Sequence, residues 1–439
     1  MKRFPLSGFA LLWLGVVVML LTQVSRAYSV LTHEQVVDLL WEDRIQPMLK
    51  ARFPDMTADQ LKEAHAYAYG GSLVQDMGYY PFGSRYFSDL THYVRTGDFV
   101  LCLIQESQTA DEYAFALGAL AHYAADNDGH PMINHVVAME FPSLRKKYGE
   151  IVTYADSPKA HIRAEFGFDM TEVAKNHYTS DRFHDFVGFE ISEDLLERVF
   201  PKVYGMDFAD VVTDEDLAIG TFRRAVSTVI PEMTRVALLN RRKEIVAETP
   251  NAAQKRYLYY LSRTDYEREW GREYRHPGFG SRVLALLLRV MPKRGPFSAL
   301  NFKIPTPPAE DLFVKSIDKT VESYRALLQE SSAGTLDLAN KDCDTGRETV
   351  AAEYPLTDKT YAHLVNDLAD NHFDKVSPEL RANILDFYAN PGAPLATKRK
   401  SKDWKKVQKN LRQLKQATVA TQATSALRGS EVLAGAGQH

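Results

Sequence analysis

Residues 109–131 read TADEYAFALGALAHYAADNDGHP, and this stretch decides the fold class. Thr109 with Glu112 three residues on forms a capping-box pattern, which predicts a helix beginning at 110. Seven alanines between 110 and 125 strip bulk from that helix, so neighbouring helices can come close to it. Within it, His122 and Asp126 are four apart. Side chains at i and i+4 leave a helix on one face, so two ligands can meet one ion without distorting the backbone. Gly129 and Pro131 predict that the helix ends near 129, with His130 in the closing turn.

The same signals recur along the chain. Thr32-His33-Glu34-Gln35 and Thr57-Ala58-Asp59-Gln60 are further capping-box patterns, predicting helices over 33–50 and 58–69. Ser157-Pro158 offers a cap followed by proline at the first helical position, predicting a helix over 158–175. From Thr213 a long helical pattern runs to about 248 with a kink expected at Pro231, and others cover 192–200, 309–331, 358–370, 378–389 and 402–416. Loops are expected at 70–86, 271–281, 291–308 and 389–396, and disorder over the last twenty or so residues. There is no sustained period-two alternation, hairpin turn signature or internal repeat. The fold class expected is all-α.

A chain of 439 residues that is 45% hydrophobic and 25% charged is long enough for two or three domains or one large helical body, and too apolar to be wholly disordered. The net charge of −4 hides an asymmetry: residues 398–415 hold nine Lys/Arg against one Asp, so the remainder sums to −12. That acidic bulk argues against a stable nucleic-acid partner. Cys102 and Cys343 could form one disulfide at most, which excludes a Cys-rich zinc module. Lys2 and Arg3 precede the apolar run Phe9–Leu21, which is too short to cross a bilayer as a helix. Ser25-Arg26-Ala27 puts small residues where a signal peptidase cuts. The expectation is a signal peptide over 1–27, a mature terminus at Tyr28, and a secreted or periplasmic protein. An uncleaved N-terminal anchor is the alternative.

The remaining chemistry lies between 28 and 165. His161 and Glu165 form a second i, i+4 pair, and Asp76 and His92 supply a third carboxylate and imidazole set. One such pair alone is ordinarily a surface hydrogen bond. Two within 45 residues, on otherwise apolar segments, point to a shared ion. Read in order, the candidates are Tyr28, His33, Asp76, His92, His122, Asp126, His130, His161 and Glu165, in the strings AYSVLTHE, LTHY, LAHYAADNDGHP and AHIRAEFG. This order resembles the zinc-dependent phospholipase C family, whose fold is shared by fungal single-strand nucleases. In that family the mature terminal residue binds zinc through its amine and carbonyl. A His follows, then an Asp and His about fifteen apart, His-x3-Asp, another His, and His-x3-Glu or His-x3-Asp. Two features depart from the pattern. Tyr28 stands where Trp is usual, a change that main-chain ligation tolerates. The His expected six positions after Asp126 is replaced by His130 at four or His135 at nine. His130 is the preferred choice and His135 remains open.

The resemblance implies a multi-helix bundle enclosing a zinc cluster of up to three ions, with additional C-terminal helices. Asp76, His92, His122 and Asp126 would hold one zinc. Asp126 would bridge to a second held by the Tyr28 terminus and His33, and His130, His161 and Glu165 would hold the third. Asp76 is also a candidate catalytic base. The ligand types suit zinc with open positions, and such sites lower the pKa of bound water towards 7. The implied activity is hydrolysis of a phosphodiester, with phospholipid headgroup cleavage preferred, a single-strand nuclease or nucleotidase as the alternative, and a non-catalytic helical adaptor as a third class. The expected layout is a signal peptide at 1–27, the zinc domain at 28–250, a helical extension at 251–396, and a basic amphipathic helix with a tail at 397–439. Trp404, Val407, Leu411 and Leu414 form the apolar stripe of that helix, opposite a lysine-rich face. It is a candidate for peripheral membrane contact over 402–416, or else packs its stripe on the body. The aromatic run Tyr79, Tyr80, Phe82, Tyr86 and Phe87 is expected in the core, with a cleft lining as the alternative. His65, His177, His184, His276, His363, His372 and His439 are assigned no ligand role.

Overall fold

A computed structural model describes residues 30–174, 188–230 and 302–417. The signal-peptide reading, Tyr28, the kink at Pro231, the boundary at 250 and the loop at 271–281 lie outside these residues. The main helices are α1 (Val30–Leu40), α2 (Ala58–Leu73), α3 (Arg85–Tyr93), α4 (Thr96–Glu106), α5 (Ala110–Glu140), α6 (Pro158–Ala174), α7 (Glu193–Tyr204), α8 (Glu215–Arg224), α9 (Pro307–Ala333), α10 (Pro355–Asp370), α11 (Pro378–Phe387) and α12 (Ser401–Gln416). Among the described residues a single hairpin, β1 (Lys341–Asp342) with β2 (Arg347–Glu348), is antiparallel and pairs Lys341 with Glu348. The protein is all-α apart from these four residues among those described.

α5 is the axis of the bundle, and α2, α9, α6 and α1 pack around it. The small residues let α2 come very close. A Cβ added to Gly71 would lie 1.9 Å from the Phe115 carbonyl oxygen, and one added to Gly118 would lie 2.0 Å from that of Ala68. On the opposite side α9 buries Phe313, Ile317, Val321, Tyr324 and Leu328, and the Tyr324 hydroxyl donates to the Leu117 carbonyl at 2.9 Å. One hydrophobic core therefore runs from α1 to α12, through residues on both sides of the undescribed 231–301 segment.

Several expectations need correction. α5 does not stop at 129 but runs through Pro131 to Glu140. Proline inside a helix costs about 3 kcal/mol. Beyond it, Ile133, Val136 and Val137 are fully buried, each contributing roughly 1.5–3 kcal/mol, so packing outweighs the break. Thr57 makes the full capping box with Gln60, but Thr32 does not cap: it lies inside α1 and donates its hydroxyl to Asp169 on α6 at 2.7 Å. The expected loop at 70–86 is mostly the end of α2 and a 3₁₀ turn over Val74–Tyr79, and α3, α4 and a short helix at Pro142–Tyr148 stood in no predicted segment. The apolar stripe of α12 faces inward, with Val407 and Leu414 fully buried and Trp404 and Leu411 partly so, and its lysine face meets solvent. Both cysteines are free thiols.

Candidate metal centre

His122 and Asp126 leave α5 side by side, fully buried, with Nε2 3.2 Å from Oδ2. The close approach of α2 delivers the Ser72 carbonyl to 2.8 Å from His122 Nδ1. A carbonyl can only accept, so Nδ1 carries the proton and Nε2 presents a lone pair to the interior. The same device fixes His92 on α3: its Nδ1–H donates to the Ser88 carbonyl at 2.7 Å. Ser88 in turn ties α3 to the Val74–Tyr79 turn, accepting from Gly78 N–H at 2.9 Å and donating to the Gln75 carbonyl at 2.5 Å. That turn carries Asp76.

Two lone-pair nitrogens, His92 Nε2 and His122 Nε2, thus face each other at 3.4 Å. His92 Nε2 is also 3.5 Å from Asp76 Oδ1 and 3.3 Å from Asp126 Oδ2. His33 on α1 stacks on His122 with ring centroids 4.5 Å apart, and places Nε2 3.6 Å from Asp126 Oδ1. The donor atoms of Asp76, His92 and His122 lie within 4.8 Å of one another, as do those of His33, His122 and Asp126. With Nδ1 protonated in both rings, the inward Nε2 atoms and the carboxylate oxygens leave a place between them for either a shared proton or a cation. Burial by itself would lower His92, yet its hydrogen bonds to Asp126 and Asp76 and their charges outweigh it and push it up to about 10. Burial would raise Asp126, but the His122 charge and the hydrogen bonds from His122 and His92 hold its carboxyl well below the usual range. His33 is pushed down to about 3 by burial and by the His122 charge. Neutral imidazoles and carboxylates held from behind by carbonyls are the donor set zinc takes, so the residues fit that ion.

The second cluster is more open. His130 is fully buried one turn below Asp126, and its Nδ1–H donates to the Cys343 carbonyl at 2.7 Å, leaving Nε2 with no hydrogen-bond partner. His161 on α6 is anchored the other way round: Nε2 is 2.6 Å from the Val152 carbonyl, and Nδ1 is 3.4 Å from Glu165 Oε1. Burial pushes Glu165 up to about 7 against the pull of His161. The His130 and His161 rings are 6.3 Å apart by centroid, wider than the first cluster. His135 is on the surface of α5. Tyr28 lies outside the described residues. Tyr79, Tyr80 and Phe87 are in the core, while Phe82 is exposed. His65, assigned no ligand role, pairs with Asp38 at 3.1 Å in a separate buried spot.

Sequence reasoning missed Cys343 and Asp344, which meet the site from more than two hundred positions away. The string DCDTG at 342–346 carried the only signal, two acids before a turn glycine. Neither the curated proteins nor the solved structures compared give a match to this chain. Residues 32–210 match the family model described as zinc dependent phospholipase C. That span contains His33, Asp76, His92, His122, Asp126, His130, His161 and Glu165. It is all-helical where described, as that family is. Over residues 32–210 the chain is therefore similar to the zinc-dependent phospholipase C family.

Proposed function

We propose that the protein is a secreted or periplasmic phospholipase C that hydrolyses the bond between glycerol and phosphate in phospholipids, releasing the phosphorylated headgroup. The observation that carries this reading is the buried convergence of His92 Nε2, His122 Nε2, Asp76 and Asp126, with each imidazole pinned behind by a carbonyl. Zinc held there, up to three ions when the Tyr28 amine, His33, His130, His161 and Glu165 are counted, would activate water and offset the charge that builds on the phosphoryl oxygens. The chain's own part is to hold those donors without rearrangement and to take up a proton. Asp76 Oδ1, 3.5 Å from His92 Nε2, is the atom assigned to receive it from the attacking water. On α12, the solvent-facing Lys402, Lys405, Lys406, Lys409, Arg412 and Lys415 suit an anionic lipid surface by charge alone, since the apolar stripe is used internally.

The test is metal analysis of the mature protein together with turnover of phosphatidylcholine and phosphatidylethanolamine vesicles and of single-stranded DNA and RNA. Zinc content with phospholipid turnover is the expected result. Hydrolysis of nucleic acid alone would move the site to the nuclease reading. Absence of both zinc and turnover would make it a helical adaptor. Terminal sequencing of the exported protein should begin at Tyr28.

A further inference from the structure

The hairpin at 341–348 lies outside the span matched by the family model, yet it is built into the second ligand cluster. Its turn is closed by Asp342, whose carbonyl accepts from Gly346 N–H at 2.8 Å and whose Oδ1 accepts from Asp344 N–H at 3.0 Å. Gly346 has φ +67, and a Cβ there would stand 2.3 Å from the Asn127 carbonyl oxygen. That carbonyl is the one Pro131 cannot bond, so the gap that Pro131 leaves in the α5 ladder is the seat of the turn. Four hydrogen bonds then join the turn to α3 and α5. Cys343 N–H donates to the His92 carbonyl at 3.1 Å, and the Cys343 carbonyl accepts from His130 Nδ1 at 2.7 Å. Asn134 Nδ2 donates to the Asp344 carbonyl at 2.9 Å, and Tyr93 donates its hydroxyl to Asp344 Oδ2 at 2.8 Å. Tyr354 donates to the same Oδ2 at 2.5 Å.

These bonds fix the other carboxylate oxygen, Oδ1, 3.4 Å from His130 Nδ1 in a fully buried position. Burying a carboxylate is costly unless its charge is used. Here the charge sits behind an imidazole whose far nitrogen has no hydrogen-bond partner. A carboxylate behind a ligating histidine raises the basicity of the nitrogen in front and holds the ring in one orientation.

We propose that Asp344 is a positioning residue of the zinc centre. With the Cys343 carbonyl it aims His130 Nε2 at the ion that His130, His161 and Glu165 would hold, so the C-terminal segment completes a site whose candidate ligands all come from the family-like part of the chain, no later than Glu165. The proposal rests on the metal-centre reading above.

The experiment compares full-length mature wild type with Asp344→Asn, measuring zinc affinity by competition with a chromogenic chelator, and following the metal-free forms by circular dichroism and melting. Asp344→Asn keeps the shape and one acceptor oxygen while removing the charge. The expected result is a zinc affinity lowered roughly 10–100-fold at one ion, with the helix signal and the metal-free melting temperature close to wild type. Unchanged affinity at every ion would make Asp344 a hairpin anchor only and would overturn the proposal. Should Asp344→Asn fail to fold, Tyr354→Phe decides. It removes one donor that fixes the carboxylate, and the proposal requires a severalfold loss of affinity for the same ion. A wild-type protein that binds no zinc would instead sink the underlying metal-centre reading.

Discussion

The two ligand clusters on α5 are assembled by different means. His122 and Asp126 belong to one helix, and the elements that complete their cluster, α1, α2, the Asp76 turn and α3, all precede it within residues 30–93. Their backing groups, Ser72 and Ser88 carbonyls, are equally local. The result is compact, with donor atoms within 4.8 Å. The cluster of His130, His161 and Glu165 is wider, with imidazoles 6.3 Å apart, and the backing of its His130 comes from a hairpin across the undescribed segment. A cluster built by one local sequence run is set once those helices dock. One that draws on a distant hairpin depends on the whole core being in place.

The largest effect should come from removing the residue that belongs to both compact donor groups. His122→Ala deletes a ligand from the group with Asp76 and His92 and from the group with His33 and Asp126. Loss of an outer-shell partner already costs about 10–100-fold, so phospholipid turnover should fall by more than roughly 100-fold with a matching drop in zinc content. Far-UV circular dichroism should stay near wild type, because the core around α5 is large. Full turnover by this variant in chelated buffer would refute the metal mechanism.

Next comes the helix contact that brings Ser72 to His122. Gly118→Val would force a side chain onto the Ala68 backbone carbonyl, already 2.0 Å from an added Cβ. Backbone cannot give way as a flexible side chain can. Overpacking commonly costs about 1–3 kcal/mol, and this case should lie at or above the upper end. Thermal melting measures it. A variant as stable as wild type would mean that α2 and α5 are not so tightly apposed.

What the sequence made legible follows the same division. Helices with side-chain caps or strong apolar periodicity were visible, and so were the histidine and carboxylate pairs at i, i+4. α3 was missed although Ser84 caps it by accepting from Phe87 N–H at 3.3 Å, because its aromatic run reads as a loop. α4 offered no signal: it starts from Arg95 in a left-handed conformation without a side-chain cap. The helix stop at Pro131 was overridden by burial beyond it. The hairpin strands are two residues each, too short for alternation to register. That Cys343 and Asp344 would land behind His130 is a property of docking, and no spacing along the chain encodes it.

A third test probes the compact cluster through the expected mature terminus. If cleavage after Ala27 frees the amine of Tyr28, that amine joins His33 on one zinc. A form that begins Met-Tyr28 and retains the Met replaces the amine with an amide nitrogen, a poor ligand. It should lose one zinc equivalent and most turnover relative to protein processed after Ala27. Equal zinc content in the two forms would remove the terminus from the site and leave at most two metals, restoring the uncleaved anchor.

The smallest expected effect separates two histidines on one helix. His130 and His135 are five apart, so the turn of the helix points them about 140° apart. His130 is buried against Cys343 and Asp344, and His135 is exposed. His130→Ala should weaken one zinc and lower turnover without emptying the compact cluster, whose donors do not include it. It should therefore fall short of His122→Ala. His135→Ala should change zinc content and turnover within error and stability by no more than about 0.5 kcal/mol, as surface substitutions do. If His135→Ala instead lost zinc while His130→Ala kept it, α5 would have to be rotated beyond Pro131. The hairpin would then back a residue with no part in the metal chemistry.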